Sequence, residues 1–221
     1  MMNVTIIGAS GLIGTALTGR LLAQDHHVTA LLRRSISRAH PSFVERIGPA
    51  EGWAQQVGGL ESGIAVSTVG TTIAIAGSQA AFEAIDLDAV IAFARAAHQG
   101  GARQMMTVSS VGADPDASNF YLRTKGRMEQ ALADIGFARL DIFRPGLLLG
   151  QRAGPPRTGE RIAVALSPIL KLVLRGPLDA YAPIAAETVA AAMAALTGNP
   201  APGVFVHPHR AMIALAGSRG A

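Results

Sequence analysis

Tyr121 and Lys125 stand four residues apart, a spacing that places two helical side chains on one face, one turn apart. A lysine ammonium beside a tyrosine stabilises the phenolate, so the phenol can protonate a carbonyl oxygen or deprotonate an alcohol. The chain contains only two tyrosines and two lysines, which makes a chance pairing at this spacing rare. We therefore predict that Tyr121 and Lys125 form a catalytic pair on a helix.

Two serines, Ser109 and Ser110, follow an apolar run that is typical of a strand and precede Tyr121 by twelve and eleven residues. Ligands of open α/β sheets bind at the carboxyl ends of the strands. A serine hydroxyl at this position could therefore hydrogen-bond the same substrate oxygen as Tyr121. The alternative is a serine that only caps a helix or a turn.

A glycine-rich segment, Gly8-Ala9-Ser10-Gly11-Leu12-Ile13-Gly14, joins the first predicted strand to the first predicted helix. Gly8 permits a tight turn, Gly11 lets a pyrophosphate approach the backbone, and Gly14 lets the helix pack on the strand. Backbone N–H groups and the positive helix end then bind phosphates, and Ser10 adds a hydroxyl donor. This context predicts binding of NAD or NADP, whose nicotinamide ribose Lys125 could hold.

Arg33 and Arg34 end the second predicted strand, where an acid would bind the ribose hydroxyls of NAD. Asp25 lies before that strand and Glu45 well after it, so no acid is expected here. Two guanidinium groups suit the 2′-phosphate of NADP, and we predict that NADPH is preferred over NADH. The alternative is a solvated arginine pair without a ligand.

Short apolar runs alternate with helical patterns along the chain. The predicted strands are Val4–Ile7, Val28–Leu32, Phe43–Ile47, Ile64–Val69, Gln104–Val108, Leu140–Phe143 and Gly203–Val206. The predicted helices are Leu12–Gln24, Gln79–Gln99, Leu122–Ile135, Arg161–Leu174 and Ala186–Leu196, with a loop at Gly150–Gly159 and a frayed tail at Gly217–Ala221. This alternation indicates an α/β protein with a Rossmann-type, doubly wound parallel sheet. We expect one domain over residues 1–221, in which residues 145–221 form most of a small substrate-side cap.

Composition excludes several classes of protein. With no cysteine, the chain has no disulfide, thiolate metal site or cysteine nucleophile. A net charge of +4 with 5 % aromatic residues argues against nucleic-acid binding. The longest apolar stretch, Ile162 to Leu174, contains Pro168 and Lys171 and is too short to cross a bilayer. His207-Pro208-His209 has no third ligand in view, so no metal is expected. We therefore expect a cytoplasmic monomer or homodimer that acts on a small molecule.

Further segments carry a resemblance to a known family. In chain order they are Val69-Gly70-Thr71-Thr72, Ser109-Ser110-Val111-Gly112-Ala113-Asp114, Ser118-Asn119-Phe120-Tyr121-Leu122 with Lys125-Gly126 and Glu129, and Phe143-Arg144-Pro145-Gly146-Leu147-Leu148-Leu149. With the glycine turn, they resemble the Tat-interacting-protein-like group of atypical short-chain dehydrogenase/reductases, over about residues 3 to 150.

The resemblance implies a set of site residues. The pyrophosphate cradle would be Gly8, Ser10, Gly11, Leu12, Ile13 and Gly14, and the 2′-phosphate would meet Arg33 and Arg34. Val69, Gly70 and Thr71 would line the adenine and its ribose. Ser110 would be the active-site serine, with Ser109 beside the cofactor and with Tyr121 and Lys125 as the catalytic pair. Pro145, Gly146 and Leu147 would run beside the nicotinamide.

Three functions share these motifs. We expect an NADPH-dependent oxidoreductase that reduces a carbonyl group. A nucleoside-diphosphate-sugar epimerase is the first alternative, although only about 75 residues follow Gly146, which is few for a sugar-nucleotide cleft. The second alternative is a redox sensor that binds NADPH without turnover; retention of the tyrosine–lysine pair argues for catalysis.

Overall fold

The computed structural model describes residues 1–58, 60, 63–150 and 176–218. Its strands are β1 (Asn3–Ile7), β2 (His27–Leu32), β3 (Phe43–Ile47), β4 (Ile64–Ser67), β5 (Gln104–Val108), β6 (Arg139–Phe143), β7 (Leu148–Leu149), β8 (Ile184–Ala185) and β9 (Gly203–His207). Seven of them form one sheet in the order β3-β2-β1-β4-β5-β6-β9, and every neighbouring pair is parallel. The sheet is doubly wound, as predicted, and the change of winding direction lies between β1 and β4.

Helices cover both faces of the sheet. They are α1 (Leu12–Ala23), α2 (Trp53–Val57), α3 (Ile73–Ala76), α4 (Gln79–Glu83), α5 (Ala89–Gln99), α6 (Phe120–Ala133), α7 (Ala186–Leu196) and α8 (His209–Gly217). Buried side chains of α1 and α7 form the core on one face, and those of α2, α5 and α6 form the core on the other. Met106 packs into the first core and Met105 into the second, so the strands are apolar on both sides, as parallel strands between two helical layers must be.

The predicted elements match the structure except at a few places. The expected helix Gln79–Gln99 contains a π-helical turn, Ala84–Asp88, between α4 and α5. Helix α6 starts at Phe120, two residues earlier than predicted, because the Asn119 side chain caps it by accepting a hydrogen bond from the Leu122 amide at 3.1 Å. Helices α2, α3 and α8 were not expected from the sequence.

Three of the sequence predictions concern segments that the structure does not describe, wholly or in part. The helix Arg161–Leu174 and the loop after Gly150 lie outside the described residues, as do the last three residues of the expected tail. Within the expected cap, β7 and β8 form a separate two-stranded sheet, whereas β9 joins the main sheet beside β6. The substrate-side role of residues 145–221 stays a prediction.

A buried carboxylate fastens β9 to the main sheet. The Asp141 side chain is fully buried and accepts hydrogen bonds from Arg139, from Gln104 at 2.9 Å and from His207 Nε2 at 2.8 Å. Burial raises the pKa of Asp141, but hydrogen bonds from His207, Arg139 and Gln104 outweigh it and hold the pKa below its usual range. The partners come from β5, β6 and β9, so three strands depend on one ionised group.

Candidate cofactor and active site

The turn after β1 requires glycine at two positions for steric reasons. Gly8 has a φ of +85°, and a Cβ there would lie 2.6 Å from the carbonyl carbon of Thr68, just after β4. A Cβ on Gly14 would lie 2.2 Å from the carbonyl oxygen of Gly8. Both contacts are shorter than real Cβ contacts, so α1 can start this close to β1 and β4 only with glycine at both positions.

Gly11 differs from its two neighbours. A Cβ there would meet only the Gly8 carbonyl oxygen, at 3.3 Å, so the fold itself leaves space for a side chain. Gly11 also precedes the first residue of α1, and no side chain caps that helix. The site therefore has backbone N–H groups at a helix start that no side chain caps, which fits a pyrophosphate group.

A cavity of about 310 Å³ opens beside this turn. It lies between the ends of β1, β2 and β4, and its lining includes Gly8, Ser10, Gly11, Arg33, Val69, Gly70 and Thr71, together with Trp53, Ile75 and Ile85. Trp53 and the two isoleucines were not identified from the sequence, because their positions on α2, α3 and the π-helical turn give no sign that they face the cleft. The lining combines glycine backbone with one indole ring and two aliphatic side chains, which fits the adenosine half of a dinucleotide.

The arginine pair borders a second cavity of about 410 Å³, lined by Ser10, Arg33, Arg34, Ser35 and Ile36. No acid was expected at this end of β2, but Glu45 contacts the two residues that directly follow the pair. Glu45 accepts hydrogen bonds from the Ser35 hydroxyl at 2.5 Å and from the Ile36 amide at 3.1 Å. Parallel pairing of β2 with β3 aligns Ala30 with Glu45, so a residue distant in sequence returns to the end of β2.

Glu45 is ionised in this position. The hydrogen bond from Ser35 lowers the pKa of Glu45 and outweighs the opposing effect of burial, and the Ile36 amide lowers the pKa further. The hydroxyl and the amide are donors that suit any anion, and here they hold a carboxylate of the chain itself. Ser35 and Ile36 also line the cavity in which the 2′-phosphate was expected.

Helix α6 presents Tyr121 and Lys125 toward α4 and the π-helical turn. The Tyr121 ring packs on the buried Phe82 ring, with 5.5 Å between centroids. Lys125 Nζ donates to Asp86 Oδ1 at 2.7 Å, and the two side chains are 2 % and 0 % exposed. The predicted shared face is therefore present. Within the described part of the chain, the Tyr121 hydroxyl forms no hydrogen bond, whether to a serine or to Lys125.

Asp86 is a functional candidate that sequence reasoning missed. It lies in the π-helical turn, and its second oxygen accepts a hydrogen bond from the Thr71 amide at 3.1 Å. One carboxylate thus joins the loop after β4 to the helix that carries Tyr121. The one available signal was an acidic residue between the apolar residues Ile85 and Leu87. Nothing in the sequence indicated its partner, because Lys125 lies 39 residues away.

The two serines differ in their surroundings. Ser109 is buried, and its Oγ has no hydrogen-bond partner among the described residues. Ser110 is half-buried and donates to the Val111 carbonyl oxygen at 3.2 Å, a weak local bond that a ligand could replace. The segment that follows β5 is bound to the segment that follows β6, because the Val111 amide donates to the Pro145 carbonyl oxygen at 3.0 Å.

Gly126 allows α6 to pack directly against the segment that follows Ser110. A Cβ on Gly126 would lie 2.1 Å from the carbonyl carbon of Asp114 and 2.2 Å from the nitrogen of Pro115. The helix that carries Tyr121 therefore touches the backbone four residues after Ser110. Because of this close approach, the separation of eleven residues between Ser110 and Tyr121 is enough to connect the end of β5 to α6.

The segment after β6 closes the described part of the site. Arg144 forms a two-oxygen ion pair with Glu129 of α6, and this hydrogen bonding raises the pKa of Arg144. A Cβ on Gly146 would lie 2.8 Å from the Ala182 carbonyl oxygen, so the backbones of these two residues pack directly together. The Tyr181 hydroxyl lies near Gly112, 3.5 Å from where a Cβ would stand.

Except for the pair on α6, the predicted site residues all lie just after the carboxyl ends of strands of the main sheet. They come after β1 (Gly8 to Gly14), β2 (Arg33, Arg34), β4 (Val69 to Thr71), β5 (Ser109, Ser110) and β6 (Pro145 to Leu147). Parallel strands bring these carboxyl ends together, and this is where such sheets bind ligands. Gly8, Ser10, Gly11, the arginine pair and Val69 to Thr71 line the two cavities described above. Among the described residues, no hydrogen bond joins Tyr121 to a serine.

A family model described as NAD(P)H-binding matches residues 8–200 of the chain. The FMP52 protein of Coccidioides immitis, named as mitochondrial, is 36 % identical over 167 residues, which cover 69 % of this chain and 68 % of that protein. The HTATIP2 protein of Rattus norvegicus is 33 % identical over 169 residues, which cover 73 % of this chain and 68 % of that protein.

The fold is similar to that of the enzyme WbmH from Bordetella bronchiseptica, solved in complex with NAD⁺. The TM-score is 0.70 at 16 % identity, and the match covers 94 % of this chain and 76 % of that chain. At this level of identity the likeness concerns the fold alone.

The expectation of a cytoplasmic protein is wrong when judged by the relatives. FMP52 proteins of several other fungi also match the chain, and each carries the word mitochondrial in its name. Composition carries no signal for such a compartment, which explains the failure. Of the helices in the described ranges, none combines the length and the apolar character that crossing a membrane requires.

Proposed function

The chain belongs to the NAD(P)H-binding family, and from this premise we propose that it is an NADPH-dependent oxidoreductase that reduces a carbonyl group. The resemblance to the Tat-interacting-protein-like group, inferred from the motifs, is confirmed by the similarity to HTATIP2. Binding of a nicotinamide dinucleotide is thus a property of the family. The preference for NADPH, the reaction and the catalytic residues are our proposal.

The observation that carries the proposal is the placement of α6. Tyr121 and Lys125 share one face of this helix, while Gly126 of the same helix contacts the segment that follows Ser110. That segment starts where β5 ends, at the sheet edge where the glycine turn also lies. A tyrosine, a lysine and a serine therefore lie on elements that meet at the sheet edge where the cleft for the adenosine half opens, and these are the residue types that carbonyl reduction needs.

Each residue has a separate role in the proposed reaction. The bound cofactor supplies the hydride that forms the new C–H bond. Ser110 donates a hydrogen bond to the carbonyl oxygen and orients it. Tyr121 donates its proton to that oxygen, so the carbonyl becomes an alcohol and the phenolate is reprotonated from water. Lys125 stabilises the phenolate through its positive charge and binds the ribose next to the nicotinamide.

Charge supports the preference for NADPH. Arg33 and Arg34 are both exposed at the mouth of the second cavity, and a guanidinium can form paired hydrogen bonds with a phosphate. Ser35 and the Ile36 amide add neutral donors once Glu45 releases them. Glu45 itself opposes a phosphate, so the preference depends on whether two arginines outweigh one carboxylate.

The test is a titration with NADPH and NADH, followed by a panel of aldehydes, ketones and quinones monitored by the loss of reduced-nicotinamide absorbance. We expect tighter binding of NADPH and consumption of it with at least one carbonyl class. If NADPH binds but no member of the panel is reduced, the chain is a binding protein. Failure to bind either cofactor would refute the proposal as a whole.

One observation favours binding without turnover as the second candidate function. The ammonium of Lys125 is already bonded to Asp86, and the Tyr121 hydroxyl has no hydrogen-bond partner within the described residues. A sensor needs neither group to act on a substrate. Cofactor-dependent stabilisation of the fold, without consumption of NADPH by any carbonyl, is the result that distinguishes this function.

A further inference from the structure

We infer that Asp86 is a positioning residue for the cofactor site, because it fixes the ammonium of Lys125 and the backbone of Thr71 with one carboxylate. This inference rests on the proposed function and extends it to a residue outside the predicted site. The two contacts are short, at 2.7 Å to Lys125 Nζ and 3.1 Å to the Thr71 amide. They use different oxygens of the same carboxylate, so neither contact excludes the other.

Burial makes the Asp86–Lys125 pair more than a surface ion pair. The side chains of Asp86 and Lys125 are 0 % and 2 % exposed, so water does not screen their charges. Removing one partner of a buried pair leaves an uncompensated charge, which is strongly destabilising. The lysine therefore cannot take an alternative rotamer at low cost, and its ammonium stays where Asp86 holds it.

The lysine keeps hydrogen-bonding capacity in this arrangement. An ammonium has three N–H donors, and Asp86 takes one of them. The other two have no partner within the described ranges of the chain, and we assign them to the ribose hydroxyls of a bound cofactor. Asp86 thereby sets the direction of the two remaining donors without touching the cofactor.

The local backbone supports a role beyond packing. Asp86 lies in a π-helical turn, a rare interruption that occurs mostly at functional sites. Helices α4 and α5 flank this turn and form one helical segment with it. The extra residue in the turn places a carboxylate where a regular helix would place a different side chain, toward α6 and the loop after β4.

The test measures binding to Asp86→Asn, Lys125→Met and the double variant, with Asp88→Asn as the matched control. Asp88 is an exposed residue in the same π-helical turn, so it reports the effect of the amide substitution alone. Two probes are titrated: NADPH, and adenosine 2′,5′-bisphosphate, which lacks the nicotinamide ribose. Thermal unfolding is followed in parallel.

We expect Asp86→Asn and Lys125→Met each to weaken NADPH binding about tenfold, the loss of one charge-assisted hydrogen bond. Because Asp86 acts through Lys125, the double variant should bind NADPH within threefold of Lys125→Met. Affinity for adenosine 2′,5′-bisphosphate should change less than threefold, because an asparagine oxygen can still accept from the Thr71 amide. A purely structural role would weaken both probes alike.

Several results would overturn the inference while the proposed function survives. They are wild-type or improved NADPH affinity in Asp86→Asn, additive losses of about a hundredfold in the double variant, or equal losses for both probes. If Asp86→Asn alone fails to fold, the comparison of Lys125→Met with the double variant decides, since the double variant has no unpaired ammonium. If the wild-type protein binds no NADPH, it is the proposed function that fails.

Discussion

Glu45 accepts a hydrogen bond from the Ser35 hydroxyl at 2.5 Å, although ten residues separate them. The contact places a carboxylate beside the arginine pair at the end of β2, where an acid would favour NAD and arginines would favour NADP. We therefore expect the balance between these charges, and not the arginines alone, to set the preference for one cofactor.

Glu45→Gln should therefore raise the affinity for NADPH relative to NADH several-fold. The amide keeps the size of the side chain and one acceptor oxygen but removes the negative charge that repels a 2′-phosphate. Titration of both cofactors against wild type measures the ratio, with the exposed Glu51→Gln as the control. An unchanged ratio would place Glu45 outside the cofactor site.

Replacement of Arg33 and Arg34 by alanine should weaken NADPH binding about tenfold to a hundredfold, the loss of a charge-assisted contact worth about 1.5–3 kcal/mol. NADH, which lacks the 2′-phosphate, should be affected little. Arg103→Ala is a suitable control, because Arg103 is exposed just before β5, at the opposite edge of the sheet. Equal affinities of wild type for the two cofactors would contradict the preference.

Gly11→Val should abolish dinucleotide binding while the fold persists. The new side chain would meet one carbonyl oxygen of the turn and otherwise occupy the space assigned to the pyrophosphate. Gly19→Val, two turns further along α1, has only the Arg38 guanidinium within 4 Å and is the matched control. Thermal melts with and without NADPH give the answer. If NADPH raised the melting temperature of the Gly11 variant as much as that of wild type, this turn would not bind the cofactor.

Tyr121→Phe should lower kcat by about a hundredfold to ten-thousandfold and leave NADPH affinity nearly unchanged, because it removes only the proton donor. The second tyrosine provides the comparison, since the Tyr181 hydroxyl lies near Gly112 in the segment that follows Ser110. Steady-state rates of both phenylalanine variants with a substrate from the carbonyl panel decide between them. A large loss in Tyr181→Phe alone would transfer the role of acid to Tyr181.

Asp141→Asn should lower the free energy of unfolding by about 3–5 kcal/mol, because it leaves the buried Arg139 without its counter-charge. The pKa of Asp141 is lowered in the folded state, so its contribution is present above the unfolded pKa of about 3.9. It is lost as the pH falls through the folded pKa.

Thermal melts between pH 7 and pH 3 test this prediction. Wild type should lose stability below about pH 4, and the Asp141 variant should lose less over the same range because this contribution is already gone. Asp116→Asn, at an exposed position, controls for the substitution. A parallel decline of wild type and the Asp141 variant would exclude Asp141 as the titrating group.

The strand–turn–helix pattern and the parallel sheet could be predicted from the sequence because each strand carries its own apolar run. Strand β3 and helix α7 were predicted with their observed bounds. Asp86 and Glu45 could not be placed in the same way. Each makes its contact with a residue that is distant in sequence, Lys125 and Ser35, and only the packing of α6 on the π-helical turn and of β3 on β2 brings the partners together.

Strand β9 has a consequence for how the chain is made. His207 reaches Asp141 across 66 residues, so a ribosome that adds 5–20 residues per second delivers it roughly 3 to 13 s later. Until then β6 is an open edge that could pair with another nascent chain. Arg139 and Asp141 lie on that edge as charged residues, a pattern that disfavours such pairing. We therefore expect the residues that complete the sheet to reduce aggregation of the growing polypeptide before the sheet is complete.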